Sequence, residues 1–300
     1  MQPLLTRLKK PGAILADGAM GTILMQRGLR PGDCPEKLNL EKPELLKEIS
    51  SLYLSAGAEI IQTNTFGASP LKLQPYGLSG RAEEINTRAC RIVRDIVGDR
   101  VYISGSCGPS GKLLKPYGDT SREAIFESFR TQMQALITAG VDLICIETMT
   151  DLAEATIAVE AARSVSSTIP ICTTMTFDST PRGFFTVMGT TIGQAVSGLT
   201  AAGADIIGSN CGNGIQNMIN IAEQFIGLSP RPVIIQSNAG IPLLKDGVLK
   251  YPESPDYMAE KSLELLNLGV KIIGGCCGTT PEHIAAMKKT VERFNAQRTP

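Results

Sequence analysis

The sequence predicts an α/β protein that forms a single (β/α)₈ TIM barrel over residues 1–300. Three observations carry this prediction: short apolar segments alternate with longer helical patterns, eight such pairs fit in the 300 residues, and one helix ending recurs along the chain. Barrels of this kind are typically about 250 residues long, so the length and the number of elements agree. The strand count alone also fits an open doubly wound sheet.

The predicted strands are short apolar segments, and a helical pattern follows each of them. In chain order they cover residues 13–16, 59–63, 101–105, 141–146, 169–173, 204–209, 232–236 and 270–274. The last predicted helix covers residues 281–294, with Thr280 as its N-cap and Pro281 at its first position. The lone histidine, His283, lies in its first turn and is interpreted as a residue of the capped helix rather than as a ligand.

A repeated helix ending supports closure of the barrel. The segments SAGAEII, TAGVDLI, AAGADII and NLGVKII each place a glycine where a left-handed helix cap is expected, before the second, fourth, sixth and eighth strands. Seven residues after these glycines come Asn64, Glu147, Asn210 and Cys276, and eight after them come Thr65, Thr148, Cys211 and Cys277. We expect these side chains at the carboxyl ends of the strands, where barrel enzymes form their active sites.

The composition argues against a nucleic-acid-binding, membrane or secreted protein. The sequence has 29 basic and 29 acidic residues, so it lacks the positive excess that binds nucleic acid or an anionic membrane surface. No apolar run reaches the length of a membrane span, and the start, MQPLLTRLKK, does not have the pattern of a signal peptide. A cytoplasmic location is expected, and there the eight cysteines stay reduced.

Three of these cysteines are predicted to meet at one rim of the barrel. Cys276 and Cys277 lie in GGCCGTT, and Cys211 lies in GSNCGNG. Three thiolates suit Zn²⁺ and leave its fourth position open, as in catalytic zinc sites. Other interpretations are small buried hydrophobic residues, a vicinal disulfide, or a phosphate-binding last loop of an unrelated barrel lyase. The other five cysteines receive no role in the site: Cys34, Cys90, Cys107, Cys145 and Cys172.

Seven motifs, taken in order, resemble those of the zinc-dependent homocysteine S-methyltransferases. They are ADGAMGT (16–22), TNTF (63–66), GPSG (108–111), IETMTD (146–151), GSNCGNG (208–214), SNAGIP (237–242) and GGCCGTTPEHI (274–284). The resemblance extends from about residue 14 to residue 284, and within the family it is closest to the homocysteine-binding module of cobalamin-dependent methionine synthase.

The resemblance implies a role for particular residues. Cys211, Cys276 and Cys277 match the family's zinc thiolates. Asp17 and Glu147 match the carboxylates that hold the substrate ammonium group. Backbone N–H groups around Ala19 and Met20 match the part of the first loop that receives the substrate carboxylate, and Asn238 matches a residue that can occupy the fourth zinc position when the site is empty. Asn64 and Ser106 are expected near the pocket mouth.

The resemblance also implies the reaction. One Zn²⁺ would activate L-homocysteine as a thiolate, and methylation would give methionine. Thr148 follows Glu147 where the betaine-using branch typically has Tyr, which argues against betaine as the donor. The expected donor is a methylcobalamin or a related corrinoid carried by a separate protein or domain. The alternatives are S-adenosylmethionine or S-methylmethionine as donor, another small thiol as acceptor, and a non-catalytic zinc- and thiol-binding subunit.

Overall fold

The computed structural model describes residues 1–245 and 248–298, and in these residues eight parallel strands form a closed barrel. The sheet order is β1-β8-β7-β6-β5-β4-β3-β2, and a parallel bridge between Ala16 and Ile60 closes β1 onto β2. This confirms the predicted barrel and excludes the open sheet. The strands are β1 Ile14–Leu15, β2 Ile60–Gln62, β3 Tyr102–Cys107, β4 Leu143–Met149, β5 Ile171–Met175, β6 Ile206–Asn210, β7 Val233–Ser237 and β8 Ile272–Gly275.

A helix follows each barrel strand. These helices are α1 Pro43–Ser55, α2 Ala82–Val97, α3 Arg122–Thr138, α4 Leu152–Val165, α5 Ile192–Ala202, α6 Ile215–Leu228, α7 Pro255–Leu268 and α8 Pro281–Ala296. The glycines of the repeated ending all have positive φ, from 86° at Gly140 to 103° at Gly269. The predicted left-handed caps are therefore confirmed. Thr280 caps α8 together with His283, whose Nε2 lies 3.0 Å from the Glu253 carbonyl oxygen.

Shorter elements occupy the loops. Helical turns cover Leu4–Leu8, Met20–Gln26, Pro35–Lys37, Leu38–Glu41, Pro70–Leu73, Gln74–Tyr76 and Ser79–Arg81. Two antiparallel hairpins pair Asp178–Thr180 with Gly183–Phe185 and Leu243–Lys245 with Val248–Lys250. The pattern of the sequence predicts neither hairpin. Among the described residues, no helix combines the length and the apolar character needed to cross a membrane.

The interior of the barrel is apolar where the strands begin and polar where they end. Its lower part is apolar: the helix Leu4–Leu8 packs against residues near the strand starts such as Ile14 and Tyr102, and the Tyr102 hydroxyl donates to the Gln2 carbonyl at 2.7 Å. Cys145 and Cys172 pair across β4 and β5 in this layer, which confirms them as core residues. Buried polar side chains cluster toward the carboxyl ends of the strands, where a site can form.

Candidate functional site

The three predicted sulfur ligands lie together at the carboxyl end of the barrel. The Sγ atoms of Cys211, Cys276 and Cys277 are all within 4.8 Å of one another, and Cys211 Sγ is 3.7 Å from Cys277 Sγ. Tetrahedral zinc with Zn–S bonds of about 2.3 Å places two sulfurs about 3.8 Å apart. The spacing of the thiols therefore fits one zinc ion.

The backbone at the strand ends allows this convergence. β8 ends at Gly275, so the adjacent Cys276 and Cys277 are released from the alternation that would point them to opposite faces. Cys211, just after β6, has a φ of 61°, a left-handed conformation that a non-glycine residue rarely adopts. A Cβ atom on Gly278 would lie 2.0 Å from the Tyr251 ring, so the bend after the cysteine pair requires glycine.

Hydrogen bonds within the sulfur set favour one thiolate. Hydrogen bonds with the Cys276 and Cys277 thiols lower the pKa of Cys211. The pKa of Cys276 is raised by its hydrogen bonds to Cys211 and Cys277, and further by burial and by the neighbouring negative charge. The three thiols therefore carry one negative charge readily and resist a second. A divalent cation removes that repulsion, so the donor set suits a metal with affinity for thiolates.

Asn238 lies beside the sulfur set, directly after β7. It is 4% exposed, and its side chain makes a small contribution to the lowered pKa of Cys211. Among the described residues, its Oδ1 atom is buried without a hydrogen-bond partner. An unpaired buried oxygen is costly, and a metal ion or a bound ligand would satisfy it. The resemblance assigned Asn238 to this position, and its location beside the thiols fits that role.

A cavity of about 270 Å³ opens onto the sulfur set. Its lining includes the three cysteines, Ala19, Met20, Glu147, Asn64 and Ser106. Asp17 and Asn238 lie outside this lining and are buried behind it. None of the residues that line the cavity in the described part of the chain is Lys, Arg or His. The cavity therefore combines thiols and carboxyl groups without a positive side chain.

Two buried carboxyl groups, those of Glu147 and Asp17, belong to the same site, and Glu147 lies near the sulfur set. Glu147 accepts a hydrogen bond from the Ser106 hydroxyl, and burial raises the pKa of Glu147 to about 7. Asp17 Oδ2 accepts from the Gln62 backbone N–H at 2.8 Å, while its Oδ1 has no partner among the described residues. Burial, with a smaller contribution from the charge of Glu147, raises the pKa of Asp17 to about 8. Among the described residues, no cationic side chain lowers the pKa of either carboxyl group, and an ammonium group would supply the missing positive charge.

The first loop is tied to the cysteine loop. The Ala19 N–H donates to Thr279 Oγ1 at 3.1 Å, and the Thr279 hydroxyl donates to the Cys276 carbonyl at 2.7 Å. The Tyr53 hydroxyl donates to the Ala19 carbonyl at 3.2 Å. The Ala19 amide is thus already paired within the protein. Met20 begins the short helix Met20–Gln26, so its N–H has no acceptor inside that helix.

The structure shows contacts of two asparagines, Asn210 and Asn64, that the sequence did not indicate. Asn210 appeared in the repeat without a role, yet it contacts Glu147, Thr148 and Cys276. Its shared position with Glu147 and Cys276 in the repeat was the signal that could have identified it. Asn64 lines the cavity, but its Nδ2 donates to the Pro35 carbonyl at 2.8 Å and so supports the loop.

The sequence of this chain is similar to known methyltransferases. The profile of the homocysteine S-methyltransferase family matches residues 14–291. Methionine synthase of Mycobacterium leprae is 30% identical over 304 residues, which cover 96% of this chain and 25% of that protein. Methionine synthase of Mycobacterium tuberculosis is 31% identical over 295 residues, covering 93% and 24%. The chain therefore spans about a quarter of the length of these curated relatives.

Solved structures give the same fold. The metallated form of the homocysteine methyltransferase MmuM from Escherichia coli superposes with a TM-score of 0.79 at 25% identity, covering 96% of this chain and 99% of that chain. Its oxidized form gives 0.78 at 26% identity, with the same coverage. A methyltransferase from Methanosarcina mazei, 13% identical with a TM-score of 0.63, shows likeness of fold alone.

Proposed function

The chain belongs to the homocysteine S-methyltransferase family, and on that premise we propose that it methylates the sulfur of L-homocysteine to give methionine at a zinc centre. One observation carries the proposal: three thiols within 4.8 Å of one another face a cavity that also contains a buried carboxyl group and has no cationic side chain in its lining. The zinc ligands are Cys211, Cys276 and Cys277, with Asn238 beside the fourth position.

The chemistry requires a sulfur nucleophile. A free thiol with a pKa near 8.5 is only a few per cent ionised at neutral pH. Zinc held by three thiolates, with a net charge of −1, favours loss of the proton from a fourth sulfur while withdrawing little electron density from it. The protein's part is to hold the three thiols, to exclude cationic side chains and to orient the amino acid so that its sulfur faces the donor.

The amino-acid end of the substrate fits the part of the cavity at Glu147. Glu147, which lines the cavity, receives the ammonium group, and Asp17 acts from outside the lining. The positive charge satisfies two carboxyl groups that burial otherwise keeps protonated near neutral pH. The substrate carboxylate lies at the first loop around Ala19 and Met20, where the Met20 N–H is available. A cavity of about 270 Å³ suits a small amino acid, since pockets for drug-sized ligands start at about 300 Å³.

The proposed methyl donor is a methylcorrinoid carried by a separate protein or domain. The likeness to two methionine synthases supports this donor, and Thr148 rather than an aromatic residue follows Glu147. A sulfonium donor is the second candidate. The similarity to the E. coli homocysteine methyltransferase extends over 99% of that chain, so that protein consists of this one domain. The free thiols require a reducing compartment, so we place the reaction in the cytoplasm.

The deciding experiment measures zinc content and methionine formation together. Free methylcobalamin, a methylated corrinoid protein, S-adenosylmethionine and S-methylmethionine are compared as donors with the zinc-loaded protein. We expect one zinc per chain and zinc-dependent methionine formation, both lost when Cys211, Cys276 and Cys277 are all replaced by Ser. Homocysteine binding without product from any donor would support the non-catalytic subunit instead. A protein that retains no zinc would refute the site.

A further inference from the structure

Asn210, the last residue of β6, connects Glu147 with the sulfur set. Its side chain is fully buried, and its Oδ1 accepts hydrogen bonds from the Thr148 N–H at 2.8 Å and from the Thr174 hydroxyl at 2.7 Å. A backbone N–H can only donate, so this contact fixes which end of the carboxamide is the oxygen. The Nδ2 end therefore points toward Glu147, Thr148 and Cys276, which line the cavity.

Asn210 Nδ2 carries two hydrogens and has three acceptors around it. The distances are 2.8 Å to Thr148 Oγ1, 3.5 Å to Glu147 Oε2 and 3.7 Å to Cys276 Sγ. The first contact has an ordinary length and takes one hydrogen. The two longer contacts share the other hydrogen, so a change at either acceptor alters the bond to the other one.

We propose that Asn210 is a positioning residue that couples the amino-acid subsite at Glu147 to the thiolate of Cys276. The inference rests on the proposed function, because it requires the substrate ammonium group to bind at Glu147. An ammonium group makes charge-assisted hydrogen bonds with a carboxylate and displaces a neutral amide donor. The shared hydrogen of Asn210 then passes to Cys276 Sγ, and this N–H···S bond withdraws electron density from the thiolate.

The consequence is selectivity for thiols that also carry an α-amino group. Cys276 would then donate less electron density to a metal held by the three cysteines, and such a metal would favour loss of the proton from an incoming thiol. The thiol loses its proton more readily only when an ammonium group is bound at Glu147. A simple thiol without the amino group would enter the same cavity, but its proton would be lost no more readily. The coupling is reciprocal for binding, because an effect of one site on the other acts equally in reverse.

A spectroscopic test uses Co²⁺ in place of zinc, because the thiolate-to-metal absorption band reports the electron density on sulfur. The probe is L-α-aminobutyrate, which has the ammonium and carboxylate groups of the substrate but no thiol, and butyrate is its control. In the unaltered protein L-α-aminobutyrate shifts the band to shorter wavelength and butyrate does not. Asn210→Asp keeps an acceptor for the Thr148 N–H and removes the Nδ2 donors, so the shift is lost. Thr174→Val removes only a bond to Oδ1 and keeps the shift.

A kinetic test compares homocysteine with its deamino analogue. In the unaltered protein, loss of the ammonium group raises KM and also lowers kcat by about 5-fold or more, the lower end of typical couplings. In Asn210→Asp, loss of the ammonium group raises KM but leaves kcat unchanged, because the donor that reaches Cys276 is gone and the added carboxylate is present with both substrates. A merely structural role for Asn210 would lower kcat equally for both substrates.

The outcomes separate this inference from the function on which it rests. If L-α-aminobutyrate binds the unaltered Co²⁺ protein, as followed by calorimetry, without shifting the band, the coupling is refuted. The same holds if Asn210→Asp retains the shift. The comparison of ligands on the unaltered protein decides even if the variant fails to fold. If L-α-aminobutyrate does not bind, or if zinc is not retained, the proposed function fails instead.

Discussion

Thr279→Val tests the connection between the first loop and the cysteine loop. The Thr279 side chain is fully buried, and its hydroxyl both accepts from the Ala19 N–H at 3.1 Å and donates to the Cys276 carbonyl at 2.7 Å. Valine has nearly the same shape and lacks both bonds. A Cβ atom on Gly18 or Gly275 would lie 2.7 or 2.2 Å from the Thr279 hydroxyl, so the surroundings leave little room for a rearrangement that could replace these bonds.

The expected cost follows from the two backbone partners. Ala19 and Cys276 are both partly exposed, so each lost bond is placed at about 1 kcal/mol, the lower part of the range for an unpaired group. The free energy of unfolding then falls by about 2 kcal/mol, which lowers Tm by roughly 4 °C in a protein of this size. Thr279→Ser retains the hydroxyl and is the matched control.

Calorimetry and zinc competition with a chelator measure these effects. Loss of the bond to the Cys276 carbonyl frees the loop that carries two thiols, so zinc affinity falls by about 10-fold in Thr279→Val, as for other groups that support metal ligands. The KM for homocysteine rises as well, because the Met20 amide is no longer held in place. Equal stability and equal zinc affinity in the Val and Ser variants would refute the reasoning.

Three other experiments probe the sulfur set, the carboxyl groups and the mouth of the cavity. Cys211→Ser loses zinc retention by at least about 10-fold, measured by chelator competition. In metal-free protein, burial raises the pKa of Glu147 from 4.5 to about 7, so the folded state holds a proton that the unfolded chain releases. The free energy of unfolding therefore falls as the pH rises from about 4.5 to about 7, and Glu147→Gln makes the fall shallower in denaturant titrations. In Gly108→Ala, the new Cβ would lie 2.4–2.7 Å from the ring of Phe66, a residue that lines the cavity and is 38% exposed. The ring must move, at a cost of about 1 kcal/mol in the free energy of unfolding. We expect the KM for the donor to change and the KM for homocysteine to stay the same.

Matched substitutions control for general damage. Cys90→Ala removes a buried thiol on α2, far from the sulfur set in the sequence, and should retain zinc. A Cβ on Gly227 of α6 meets no atom within 4 Å, so Gly227→Ala should raise stability by about 0.5–1 kcal/mol. Zinc loss in Cys90→Ala, or a pH dependence of stability in Glu147→Gln as steep as in the unaltered protein, would contradict the assignments. So would an unchanged donor KM in Gly108→Ala.

The barrel was predictable because its signals are local. Helix caps at Gly57, Gly140, Gly203 and Gly269 depend on a few neighbouring residues, and the glycine at each cap marks the strand that follows. The convergence of Cys211 with the cysteine pair was predictable for the same reason, since the spacing from these glycines places them at equivalent strand ends. Parallel strands of a barrel then bring those ends to one rim.

The hydrogen-bond network of the site was not predictable. The β4 pairing shifts register between Ile146 and Met149, and Thr148 within it has a φ of 59°. Simple alternation of side chains along a strand fails at such a point, so the sequence could not show that Thr148 presents its N–H to Asn210. The sequence has no signal for the two hairpins because their strands are three residues long and their described side chains are mostly exposed, without the apolar pattern of core strands.

The helix Leu4–Leu8 covers the apolar end of the barrel where the strands begin, whereas the cavity opens at the opposite end. Leu4 and Leu8 are 2% and 4% exposed because they cover the strand starts, although they come before the first strand. Trimming the chain to begin at Ile14 would look harmless in the sequence. We expect it to expose the buried thiols of Cys145 and Cys172 to water and to oxidants from the end of the barrel where the strands begin.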